Sequence, residues 1–266
     1  CTDRPDPRDW SSREVCGSVV LSELPREVRL QRTEIQDQSL DALTAYACTI
    51  FGLTHCSNEG NALEAERTGV NVAEFPLRQA ADLVPAAASA GWFDPKRGAA
   101  LQDALKHFRD VPALISGWAK CSSFDDCVAA LSRGNAVYTG SAKVNWSATA
   151  EAGVIVPAAS SHGHAFMLDA YLLGEKPDQD VLIVRNSYGP QWSGSGRAAL
   201  RRENFPLLFS AYEVFDRTNE EIVTNYRKRM NEKIIAALKA AGVTNGERPN
   251  DPVTRFEAAL MVGRAM

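Results

Sequence analysis

Small and apolar residues recur at helical intervals between Ser39 and Phe51: Leu40, Leu43, Ala47, Ile50 and Phe51. Ser39 stands where it can cap a first turn, so the spacing predicts a helix over 39–51. Two more helical stretches follow. FPLRQAADLVPAAASAG, 75–91, contains Pro85, which is expected to break or kink it. RGAALQDALKHF, 97–108, runs without a breaker after its glycine. SSFDDCVAALSRG, 122–134, has a polar start for capping and a glycine stop.

The pattern changes after Gly134. NAVYTGS (135–141), GVIVP (153–157), HAFMLDAYLL (164–173) and DVLIVRNSY (180–188) are short β-rich runs separated by Gly, Pro and Asp. A helical first half and a β-rich second half predict an α+β fold rather than alternating α/β. From Asn219 the composition changes again. Residues 219–242 read as a charged amphipathic helix of roughly six turns. A turn-rich break, VTNGERPNDP, leads to a second helix over 253–266, with Thr254 and Glu257 at capping-box spacing. The chain therefore divides into an N-terminal arm, 1–23, a main domain, 24–218, and a two-helix appendage, 219–266. The appendage is too short to bury a good core alone and is expected to dock on something.

Composition narrows the function classes. The 266 residues are 45% hydrophobic and 23% charged, with a net charge of −4, which is ordinary globular composition. There is no basic excess to suit a nucleic-acid partner. The longest apolar runs, such as LVPAAASAGWF from Leu83, are too short to insert across a membrane. The first residues lack the basic-then-apolar pattern of a secretory signal. The six cysteines, Cys1, Cys16, Cys48, Cys56, Cys121 and Cys127, form no CxxC pair and no zinc-type spacing with histidine. They read as free thiols, with a short Cys121–Cys127 loop closure as the alternative. His162 and His164 would point the same way from a strand, but no third metal ligand accompanies them. No cofactor is implied. His55 and His107 read as surface or satisfied histidines, and Trp92, Trp118, Trp146 and Trp192 as packing residues.

The chemistry concentrates in HGHAFMLDAYLL, 162–173, and VLIVRNSYGPQWSGSG, 181–196. Gly163-His164-Ala165, Asn186-Ser187-Tyr188-Gly189, Trp192, Gly194 and Gly196 fall in the order of the GHA and NSWG blocks of papain-like cysteine peptidases. LPREVRL (24–30), IQDQS (35–39) and ENFPLLFSAYEVFD (203–216) resemble that family's entry, glutamine and closing segments. The resemblance covers about residues 24–216. It implies a two-lobe fold, one lobe helical and the other antiparallel and β-barrel-like. It also implies that His164 is the general base, Asn186 its orienting partner and Gln38 the oxyanion donor. A thiol at a helix N-terminus beside an imidazole is a ready nucleophile, which is why such a set works.

The family pattern, counted from Gln38 without a gap, puts Thr44 at the nucleophile position; with one deletion it puts Leu43 there. Neither is a cysteine. The leading expectation is an inactive papain-like pseudo-peptidase serving as a structural or binding module, its cleft open to a peptide segment. The first alternative is an active peptidase whose nucleophile has moved to Cys48. On a helix already begun at Ser39, Cys48 lies one turn too deep and would require a slide of about 6 Å. Residues 234–266 resemble a single surface-layer homology motif, with Gly242-Val243, Asn245-Gly246, Pro249 and Val253-Thr254-Arg255 in order. That resemblance implies self-assembly or a protein partner through 219–266, or cell-wall polymer binding. It suits a phage particle or a bacterial envelope.

Overall fold

The computed structural model describes residues 11–75, 77–110, 114–159, 162–215, 228–229, 231–237 and 240. The chain forms two compact units, Cys1–Glu64 with Pro76–Thr218, and Ala65–Phe75 with Asn219–Met266.

The first unit is α+β. Among the described residues its sheet has seven strands: β1 (Glu27–Arg29), β2 (Gly117–Cys121), β3 (Val137–Ser141), β4 (His164–Leu172), β5 (Val181–Arg185), β6 (Arg197–Arg201) and β7 (Ala211–Phe215). The order is β2-β7-β3-β4-β5-β6, every pair is antiparallel, and β1 continues beside β3 along one edge of β4. Strand β4 is buried from His164 to Tyr171, which explains its nearly unbroken apolar sequence. GVIVP is not a strand. Its backbone bonds make only isolated bridges, to Ala199 of β6 on one side and to the Val144–Asn145 segment on the other, and Pro157 has no N–H to extend them.

Among the described residues of this unit the strands are accompanied by helices α1 (Ser12–Cys16), α2 (Cys48–Thr68, which runs on into the second unit), α3 (Ala80–Ser89), α4 (Leu101–Asp110), α5 (Phe124–Ser132) and α6 (Trp146–Ala152). Helix α3 runs through Pro85 instead of ending there. Pro85 is its sixth residue, so the helix forgoes the bond to the Ala81 carbonyl four residues back. Ser123 caps α5 by accepting from the Asp126 N–H. Ile50, Phe51 and Leu53 of α2 share one core cluster with Leu105 and Phe108 of α4 and with Tyr138, Phe166 and Leu168 of the sheet.

The helix expected over 39–51 begins only at Cys48. Residues 38–40 make a 3-10 turn and 42–46 are turns. Side chains compete with the helical ladder here. The Asp37 carboxylate accepts from the Ser39 N–H, that of Asp41 from the Leu43 N–H, and the Thr44 hydroxyl donates to the carbonyls of Gln38 and Asp41.

The N-terminal segment belongs to the first unit. Ser12 Oγ donates to the buried Glu213 carboxylate at 2.5 Å, Arg133 Nη2 pairs with the same group at 2.7 Å, and Arg13 pairs with Asp126. In the second unit Ala65, Val70 and Phe75 form a small core, and Arg229 pairs with Glu74 at 2.5 Å. Residues 228–229, 231–237 and 240 are helical. Apart from 234–237 and 240, the segment resembling a surface-layer homology motif lies outside the described residues.

Candidate active site

Three elements bring the site together. His164 opens β4, and Asn186 follows the last residue of the neighbouring strand β5. Cys48 is the first residue of α2. The helix reaches this place because Gly52 has no side chain. A Cβ there would stand 3.2 Å from the Tyr138 ring and 3.3 Å from the Phe166 backbone. The Tyr138 hydroxyl also donates to the Thr49 carbonyl at 3.1 Å. One turn of helix is thus laid flat on β3 and β4 beside His164.

The thiol that meets His164 is that of Cys48, not a side chain at position 43 or 44. Leu43 is largely exposed, and Thr44 spends its hydroxyl on its own loop. No slide along the helix is required, because no helix precedes Cys48. Burial pushes the Cys48 thiol up, but a hydrogen bond and charge from His164, helped by the backbone at Ala165, bring it below the ordinary cysteine value. The N-terminus of α2 favours the thiolate further.

On its other side His164 Nε2 lies 2.6 Å from Asn186 Oδ1, and Asn186 Oδ1 also accepts from the Ser187 N–H at 2.7 Å. The imidazole is enclosed by aromatic rings. Tyr188 stacks on it at 4.6 Å and Trp146 meets it edge-on at 4.8 Å, with Trp192 behind both. Trp146 and Trp192 are packing residues, but what they pack is the His164 ring. Trp146 comes from α6, which nothing in the sequence pattern announced.

Gln38 is buried and held at both ends. Its Nε2 donates to the Ala45 carbonyl at 2.9 Å, its Oε1 accepts from Ser187 Oγ at 2.5 Å, and its own N–H donates to the Ser187 carbonyl at 2.8 Å. Nε2 carries a second hydrogen that these bonds leave uncommitted. The first N–H groups of α2 have no acceptor within the helix.

A buried polar cluster backs the site. Arg185, which precedes Asn186, pairs with Glu59 of α2 at 2.6 Å and donates to the carbonyls of Thr33 and Glu34. Glu59 also accepts from the N–H groups of Arg32 and Thr33. His55 Nε2 accepts from the Gln36 N–H, and burial holds its protonation well below the ordinary histidine range. Gly189, at φ 81°, lets the Asp37 loop close on Tyr188; a Cβ there would stand 2.6 Å from Asp37 Oδ2. The strand carrying Asn186, the helix carrying Cys48 and the loop carrying Gln38 are therefore clamped to one another.

The remaining sequence candidates fall elsewhere. His162 is exposed and His107 stacks on Trp92. Among the described residues no three His, Cys, Asp or Glu side chains are grouped to hold a metal. Cys16, Cys48, Cys56, Cys121 and Cys127 are free, and Cys121 and Cys127 are hydrogen-bonded rather than bridged.

The fold has counterparts among solved structures. Xylellain, a cysteine protease from Xylella fastidiosa, is 16% identical, with a TM-score of 0.56 over 82% of this chain and 95% of its own. The fold is papain-like. Procathepsin B from Trypanosoma congolense is 14% identical, with a TM-score of 0.54 over 74% of this chain and 79% of its own. No protein-family profile matches the chain, and no curated protein sequence does.

Proposed function

We propose that this papain-like domain is a thiol hydrolase acting on peptide bonds, with Cys48 as nucleophile, His164 as proton carrier and Asn186 as its orienting partner. The observation that carries this is the Cys48–His164–Asn186 chain of contacts, with the thiol below its ordinary pKa. The inactive-enzyme expectation rested on the absence of a cysteine at positions 43 and 44, and a thiol four residues later supplies what was missing.

In the proposed reaction the Cys48 thiolate attacks the scissile carbonyl carbon, forming a C–S bond and an oxyanion. Gln38 Nε2 and the Cys48 N–H hold that oxyanion. Its collapse breaks the C–N bond, and His164 gives its proton to the leaving amine. Water then attacks the thioester, with His164 taking its proton, and the acid departs as the thiol is restored. Asn186 Oδ1 accepts from His164 Nε2–H throughout, keeping the other ring nitrogen toward sulfur. Hydrolysis of a fluorogenic peptide panel tests this. Activity lost in both Cys48→Ala and His164→Ala is expected. Activity that survives Cys48→Ala, or none from folded wild-type protein across the panel, would overturn it.

A further inference from the structure

We propose that the turn segment 39–47 is a specificity element that seats a bulky apolar side chain of the substrate next to the scissile bond. This rests on the hydrolase reading above. The nucleophile stands four residues beyond the position, Thr44, that the ungapped family pattern predicts, so the segment is longer than the pattern requires. The extra length is not slack. Asp37, Asp41 and Thr44 bond its backbone, Ala47 N–H donates to the Thr44 carbonyl, and Gln38 Nε2 holds the Ala45 carbonyl.

This ordered segment turns its largest apolar side chains outward. Leu40 is 83% exposed, Leu43 60% and Tyr46 46%. Exposed apolar side chains carried on a bonded backbone call for a partner. Its position says which. The segment starts at the oxyanion-donor residue and ends at the nucleophile, so a chain with its scissile carbonyl at Cys48 passes beside it. Residues of an extended peptide advance about 3.3 Å each, which brings the nearest substrate side chains within reach of the lip.

The test uses peptide pairs that differ only beside the scissile bond, Leu or Phe against Asp or Lys. Wild-type protein should favour the apolar member by about ten-fold or more in kcat/KM. Leu43→Glu and Leu40→Glu should bring the ratio toward one, with thermal unfolding confirming that each variant is folded. A ratio unchanged in both variants, or equal losses on both peptides, would overturn the proposal. Anisotropy of labelled peptides on Cys48→Ala separates it from the hydrolase reading. Apolar preference in binding that Leu43→Glu removes supports the lip even if wild-type protein cleaves nothing. Absence of any binding preference overturns it whether or not hydrolysis is seen.

Discussion

Arg185 Nη1 and Glu59 Oε1 lie 2.6 Å apart, and both side chains are sealed from solvent. The pair joins the strand that leads into Asn186 to the helix that begins at Cys48. A buried ion pair adds little net stability over an apolar equivalent, but removing one partner strands a charge in a medium that cannot solvate it. Glu59→Ala is therefore expected to cost about 3–5 kcal/mol in urea unfolding. It also frees the N–H groups of Arg32 and Thr33, so the loop leading to Gln38 loosens with it.

Gly52 sets how closely the nucleophile helix lies on the sheet. Gly52→Ala places a methyl against the Phe166 backbone at 3.3 Å, and backbone cannot swing aside as a side-chain tip can. Overpacking of this kind costs about 1–3 kcal/mol, less the gain from replacing a helical glycine. The larger effect is expected in chemistry. Lifting α2 from β4 separates Cys48 from His164, so thiol reactivity should fall by about ten-fold at neutral pH while the fold persists. Alkylation rates and thermal unfolding measured on the same sample check both halves.

His55 makes the fold acid-sensitive. Burial, with the charges of Arg185 and Arg197, depresses its protonation in the folded state. A depressed histidine contributes stability above its unfolded pKa of about 6.5, and that stability is lost as pH falls toward the folded value. Asp169 acts in the opposite sense. Burial raises it to about 6, against the pull of Arg197, so it takes up its proton in the fold before it does in the unfolded chain. The two partly cancel in the wild-type curve, so the informative quantity is a difference. Below about pH 6.5, wild type should lose up to about 1.4 kcal/mol per pH unit relative to His55→Gln. Parallel denaturation curves for the two proteins would contradict this.

The right-hand half of the site was legible because its residues sit in order on adjacent strands. His164 opens an apolar run, and Asn186 closes the next. The left-hand half was misread for a physical reason. Leu40 and Leu43 fall at helical spacing yet face water, and spacing alone does not say which way a leucine points. The better signal lay in Asp37, Asp41 and Thr44, whose side chains bond nearby backbone and favour turns over helix. Helix α2 also hid its length. It buries His55, Asn58, Glu59 and Asn61, so its polar positions mark no solvent face. Strands β2 and β6 went unseen because they end the sheet order, and Lys120, Arg197 and Arg201 on them read as surface rather than strand.

The central claim is that Cys48 is a thiol activated by His164. Iodoacetamide alkylation across about pH 5 to 9, with peptide mapping of the adduct, tests it most directly. Cys48 should be modified first, with half-maximal rate below the value of about 8.5 for an unperturbed thiol. In His164→Ala, burial is left to act on the thiol alone, and the midpoint should move to or above that value. A Cys48 profile at or above the ordinary midpoint in wild-type protein, unmoved by His164→Ala, would contradict the account.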